Sequence, residues 1–586
     1  MSTLCRVVLS IAIGTLVCTW AASVPAQEGD SSASVRRVRG IIQKDETWSG
    51  TVIVTDDLTI DGAKVTILPG TIVEFADRRK RHGPTLTVGG WNKGFRGYLE
   101  ILSEPDRPVV FRTRAGSQPG RLVVNVRGET TSASFHSKNP REKPPPPKKT
   151  PGRVVWEHVR FEGLGEVESK QVMKKQILVA RPAITFKVAG GAHTLSLTHC
   201  TFDRSTRVKI SAADGSRISL LDNLFTNETE RVALEIAGVR GQPPPDLALV
   251  SRNRFSCAIS LESISVQLTD NILIGPYVAV AVNALPKSDV RITGNYVHNT
   301  SMNDDGRYAL NCEYAGAVIE NNIFRGGSTC VLNGSRLMTG NVMIGAPRLE
   351  VEITLPTIKT PTNGASSKNN PRTPRTVLRS SKTHRLVAAL PSGSLFERNL
   401  LLGPAHSLLA PQPRLVPRDG EDRTPHHKQA TILRNNLLDG FGASNRGIHL
   451  GSAGRRAQPI GIHGNVFLRI NSVVLVEDDG NGATIEFGVN AAAPPPARVI
   501  HRVGSKDAAD GPGLTIVEKD VASFYLVGIP PERVPDFDAD IQSGKLTTGT
   551  LRNRLFESYR PREGSPLIVK HNGAKSTLGP GTGNRE

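Results

Sequence analysis

The feature that most limits how this chain can fold is an asparagine that keeps returning in the same setting. It stands in "ISLLDNLF" (218–225), "VSRNRF" (250–255), "VRITGNYV" (290–297), "VIENNIF" (318–324) and "TILRNNLL" (431–438), after a short apolar stretch and before two or three mostly apolar residues. The series is Asn223, Asn253, Asn271, Asn295, Asn322, Asn341, Asn399, Asn436 and Asn465, at intervals of 30, 18, 24, 27, 19, 58, 37 and 29 residues. "WEHVRF" (156–161) and "LTHCTF" (197–202) read as two earlier copies, with Val159 and Cys200 in the Asn slot. Unequal intervals over a shared core describe the coils of a solenoid, joined by loops of varying length.

The pieces flanking each Asn alternate β-branched and apolar residues with few helix formers, so they read as strands. A sharp bend between two strands often needs a residue in the left-handed region, which Asn tolerates, and its amide offers two donors and an acceptor. A buried amide must be satisfied, and the next coil, about 4.8 Å away, supplies the partner. The expected result is an asparagine ladder.

In this respect the chain resembles the right-handed parallel β-helix proteins, which include the pectate-lyase-like enzymes and the NosD-like repeat proteins. The resemblance covers roughly residues 40–490. It implies an all-β fold, a single right-handed parallel β-helix of roughly a dozen coils with capped ends. In that family the ladder Asn lies between the second and third strands of a coil, so "VRIT" would be a second strand and "YV" a third. First strands are then expected at 184–190, 232–238, 280–286, 308–314, 330–336, 349–355, 447–453 and 473–479. One polar slot recurs in them: Lys187, Glu235, Asn283, Asn311, Asn333, Glu352, His449 and Glu477, with Lys209 and Glu262 in two intervening coils. Alternation turns this slot outward.

The chain carries a net charge of +19, and two stretches supply most of it. "KNPREKPPPPKKTPGR" (138–153) is +5, and 356–385 holds seven Lys or Arg with no acid, together 12 of the 19. A third insert, 411–428, is nearly balanced. Each precedes a second strand, so all three are expected to leave from one turn and fringe one edge of the helix. A basic fringe beside a polar strip suits an acidic polymer.

The first 26 residues, with Arg6, an apolar run from Val7 to Val17 and the small residues before Gln27, read as a secretory signal peptide. Export to the periplasm, cell surface or medium is therefore expected. Acidic polysaccharide or another envelope polyanion is then the expected partner, with no nucleic acid, no transmembrane segment and a monomeric state. Four cysteines remain, Cys200, Cys257, Cys312 and Cys330, without the paired spacing of a zinc site. They read as small buried side chains, with a Cys312–Cys330 bridge open as the alternative. Residues 40–120 read as opening coils, 154–490 as the core and 491–586 as a closing cap and tail, with 530–541 lying over the last coil.

Family enzymes that cleave uronate polymers place carboxylates, often calcium-bound, and an Arg or Lys base on the first strand and the loop before it. That implies candidates in 298–314: Asp304, Asp305, Arg307 and Glu313, with calcium possible if the protein is a lyase and no cofactor required otherwise. The same Asn-Asp-Asp-Gly run also reads as an ordinary turn. His449 and Glu477, one coil apart, form a second candidate pair. Lys187, Lys209, Tyr277, Asn283, Tyr308, Asn311 and Asn333 are the candidate ligand-binding residues. The expected function is binding of an acidic glycan along the first-strand face; a lyase or glycoside hydrolase on such a glycan and a non-catalytic structural or adhesive envelope solenoid are the alternatives.

Overall fold

The computed structural model describes residues 35–579 except for short gaps and the longer stretches 77–82, 90–96, 132–147, 227–231, 240–244, 301–308, 354–377, 413–430, 441–445, 451–459, 478–484, 504–513 and 517–536. Between them the chain winds into a parallel β-helix of three sheets. One coil shows the pattern. Val280–Asn283 is its first strand, Val290–Thr293 its second and Tyr296–Asn299 its third. Each pairs in parallel with the equivalent strand of the coil before, Ala258–Glu262, Val266–Thr269 and Ile272–Gly275. Each also pairs with the coil after, whose first two strands run together as Leu310–Glu320. The stacking extends from Val35–Ile42 to Leu514–Ile516.

All nine Asn side chains of the series form one buried ladder. Every Asn from Asn223 to Asn436 donates its backbone N–H and its Nδ2–H to the Oδ1 of the next, at 2.9–3.2 Å. Nδ2 also donates to a second-strand carbonyl of the preceding coil, as Asn295 does to Leu268 O at 2.8 Å. The ladder reaches one rung further than the repeat pattern suggested, because Asn465 donates to Asn490 Oδ1. At the other end Cys200 N–H donates to Asn223 Oδ1, and Cys200 Sγ lies 3.6 Å from Trp156 O. Burial pushes that thiol up to about 12, so it sits there neutral.

The reason for Asn needs correction. The ladder residues do not occupy the left-handed region; the residue before each of the nine in the series does. His199, Asp222, Arg252, Asp270, Asn321, Arg398 and Asn435 have φ between 53° and 58°, and Gly294, Gly340 and Gly464 fill the remaining places at 64–70°. Asn is selected for its amide, and the bend is made by a neighbour whose identity is free to vary. A side chain there often lies over the following coil: a Cβ on Gly294 would meet Asp270 Oδ1 at 2.3 Å, and one on Gly464 would meet Asn435 Oδ1 at 2.3 Å.

The core fills by alternation along each strand. Third strands contribute a file of stacked rings, Phe111, Phe161, Phe202, Phe225 and Phe255, with centroids 4.5–5.4 Å apart. Trp48 and Trp156 are buried in the early coils. Cys200, Cys257 and Cys312 are buried, as small core side chains would be, while the side chain of Cys330 lies outside the described residues.

The third sheet changes character along its length. Its outward positions are Arg160, Thr201, Leu224 and Arg254 in the earlier coils, then Tyr296, Ile323, Val342, Leu400, Leu437 and Val466, all buried. The cover is the C-terminal segment. Helices α1 (Asp538–Gln542) and α2 (Thr548–Ser558) press Ile541, Leu551, Leu555 and Phe556 onto this apolar flank. Arg254 donates to Gln542 O, Arg552 to Gly340 O at 2.7 Å, and Tyr559 to the buried Asp439 carboxylate, which also pairs with Arg469. Asp538 accepts from Tyr296 at 2.7 Å and bonds His298 Nδ1 at 2.7 Å. Beyond the last described rung the chain thus returns many coils back and runs forward along the side of the solenoid. This differs from the expectation that 530–541 lies over the last coil.

Two outcomes test this account. Asn322→Ala strips acceptors from Asn295 and should cost about 3 kcal/mol, read as lost hydrogen-exchange protection in the flanking coils, and Asn322→Asp should cost more because a carboxylate cannot donate. Phe556→Asp should free the C-terminal segment, raising binding of an apolar dye while the β circular-dichroism signal is retained.

Candidate functional site

The first sheet is the face to which the sequence-predicted residues belong, and its edges are where the chain inserts its longest excursions. Two of those excursions begin as antiparallel hairpins. Glu129–Thr131 pairs with Lys148–Thr150 between the first-sheet strand Arg121–Val126 and the second-sheet strand Arg153–Glu157. Leu349–Ile353 pairs with Leu378–Lys382 between the third-sheet strand Val342–Ile344 and the first-sheet strand Leu386–Pro391. A further hairpin, Glu166–Val172 with Lys175–Arg181, leaves from this second edge in an earlier coil. The third insert follows Ser407–Gln412 and precedes Thr431–Arg434, on the same edge as the first.

This corrects the expectation that all inserts fringe one edge. The segment 349–355 alternates polar and apolar residues as a first strand would, but its strand Leu349–Ile353 pairs with its own hairpin partner, and Leu386–Pro391 takes the place in the sheet, with Ala388 opposite Cys330. Glu352 therefore leaves the polar slot. The stretches 132–147, 354–377 and 413–430 lie outside the described residues.

The polar slot itself is two rows of register positions, two residues apart along the strands. One row runs Thr185, Lys209, Glu235, Ser260, Ala281, Asn311. The other runs Asn125, Lys187, Ser211, Ala237, Glu262, Asn283, Glu313, Asn333. Further along, His449 is opposite Leu475, which places Glu477 two residues beyond it, so the two are not register partners. Asn283 and Glu262 are exposed. Glu313, Asn333 and Glu477 are placed by backbone register, while Asp304, Asp305, Arg307, Tyr308 and Tyr277 lie outside the described residues.

Electrostatically the first row is dominated by one carboxylate. Glu235, 9% exposed, accepts from Lys209 Nζ and from Arg207 Nη2, each at 2.5 Å. Burial opposes its charge, yet the hydrogen bonds from Lys209 and Arg207 prevail and hold it below the usual carboxylate range. Lys209, read from sequence as a ligand-binding cation, is thus already engaged. Arg207 was missed, although it stands two residues before Lys209 and so on the same side of the strand. Asn125 was missed as well. It is buried, its Nδ2 donates to Val88 O at 3.2 Å and to Gly89 O, and its Oδ1 finds no partner among the described residues.

At the ladder turn a second exposed file of polar groups runs along the helix. His158 and His199 stack at 5.0 Å, and Arg252 grips Asp222 with two bonds of 2.8 and 2.6 Å. Among the described residues no group of three or more His, Cys, Asp or Glu side chains is set to hold a metal ion, and no helix is long and apolar enough to cross a membrane.

The pH dependence of the Glu235 cluster has a definite sign. A carboxyl lowered by folding adds stability above its unfolded value of about 4.3, and that contribution disappears as the pH falls through the folded value. Thermal unfolding of wild type and Glu235→Gln should therefore differ most above pH 5 and converge toward pH 3. Compared with known proteins, the chain matches no family model, no curated protein and no solved structure.

Proposed function

We propose that this is an exported β-helix protein, akin to the pectate-lyase-like and NosD-like repeat proteins, that holds an acidic polysaccharide or another envelope polyanion along its first sheet. The observation that carries the reading is the placement of the two basic inserts at the two turns that border this sheet, one on each side. These inserts leave beside a face on which Lys209 and Arg207 share the one carboxylate of Glu235, so that the cluster keeps a single net positive charge. The sheet then contributes that charge with Lys187, and the amides and hydroxyls of Asn125, Ser211, Asn283 and Asn311, while the inserts contribute most of the positive charge. Rungs repeat about every 4.8 Å, so a polymer lying along the axis would meet the same chemistry repeatedly.

A lyase or glycoside hydrolase on such a polymer is the second reading. It is favoured by the backbone register that puts Glu262 and Glu313 at equivalent positions with Asn283 between them. Two rungs separate their backbones by about 10 Å, near the carboxylate spacing of inverting glycosidases. Calcium would be relevant only to a lyase, and binding needs no cofactor.

Size-exclusion chromatography of the mature chain with polyuronates and sulfated glycans, with and without calcium, tests both. Co-elution that weakens with salt, and weakens further when 356–377 is removed, is the expected result. Shortened polymer, abolished by Glu313→Gln or by Asp304→Asn with Asp305→Asn, would favour the enzyme. No co-elution and no shortening across the panel would leave a structural solenoid.

A further inference from the structure

The first basic hairpin has a narrow neck. Its returning strand Lys148–Thr150 leads through Pro151 and Gly152 into the second sheet, and Gly152 lies so close to the outgoing chain that a Cβ there would sit 2.2 Å from Arg127 O. One coil later, the turn before Thr194–Thr198 stacks on this neck. Gly152 O accepts from Thr194 N–H at 3.0 Å, and Gly152 N–H donates to a side chain, His193 Nδ1, at 2.8 Å. The imidazole stands where a backbone carbonyl would otherwise receive the neck.

This bond exists for only one protonation state. With Nδ1 accepting, the neutral ring carries its proton on Nε2; a second proton on Nδ1 turns the acceptor into a donor facing a donor. The ring is 8% exposed, so the imidazolium would also lose solvation. Among residues whose side chains are described, the charged neighbours along the chain and the stack are Arg127 and Arg153 on the hairpin side and Asp214 and Arg217 on the next coil. Arg217 N–H bonds His193 O, and Asp214 is exposed and offers its backbone carbonyl to Gly191 N–H.

We propose that His193 is a pH-sensitive pin, fixing the neck of the basic hairpin while its ring is neutral and releasing it when the ring takes up a second proton. Burial lowers the pKa of this imidazole, opposed by a hydrogen bond to the Gly190 backbone, which gives the sign. A group that resists protonation when docked holds full strength above its free value of about 6.5 and loses it as the pH drops below that value. The pin acts on the neck alone and does not depend on what the first sheet binds.

Amide hydrogen exchange of the full chain between pH 7.5 and 5, corrected for intrinsic exchange, reads the pin directly. Protection in the peptide containing Gly152 should fall by up to tenfold per pH unit below about 6.5, while ladder peptides around Asn295 stay protected. His193→Gln keeps an acceptor that does not titrate, so its neck should stay equally protected across the range. A flat wild-type neck overturns the proposal, and so does an equal fall in His193→Gln; if that variant loses ladder protection, the wild-type profile alone decides.

Discussion

Everything in this molecule depends on the need to satisfy a buried amide. Each ladder Asn is fully enclosed, and each is saturated only by having another Asn one coil away in the same place. A buried amide without such a partner would cost about 1–3 kcal/mol, so the ladder penalises any slip in the stacking of coils. It fixes register where short strands could not, because alternation alone is indifferent to a shift of two. The phenylalanine file beside it adds contact area, but stacked rings tolerate small displacements that a hydrogen-bonded ladder does not.

That asymmetry explains what could be read from the sequence. The ladder was legible because only one side chain suits the job, and the reading stopped at Asn465, one rung short of Asn490, where three alanines follow in place of larger apolar residues. The left-handed residue was not legible, since His, Asp, Arg, Asn and Gly all serve there and leave no common letter. The outward polar slot was half legible: the parity of Lys187, Glu235 and Asn283 was plain, but not that Glu235 and Asn283 belong to different rows. Segment 349–355 imitated a first strand because a hairpin strand obeys the same alternation.

One signal in the sequence went unused. Third strands begin as alternating segments, "VRFE" and "TFD", and become apolar throughout, "VMI", "LLL" and "VFL". A strand apolar on both faces must be covered on both. The amphipathic run at 548–558 is the piece that covers it. The candidate site was harder to read, because what matters there is which turn each insert leaves from, and an insert hides the strand boundaries needed to count turns.

A solenoid whose coils touch only their neighbours can form and fray piecemeal, each rung adding its own increment of stability. Here the chain's end reaches back to Arg254 and forward to Gly464, so coils that share no strand contact share one clasp. Their stabilities are coupled, and the contacts that couple them join residues as much as 288 positions apart. Loop closure over such a span comes late and slowly. The later coils therefore stand with a bare apolar flank until the segment 538–579 has docked, and only then do the distant coils behave as a single cooperative unit.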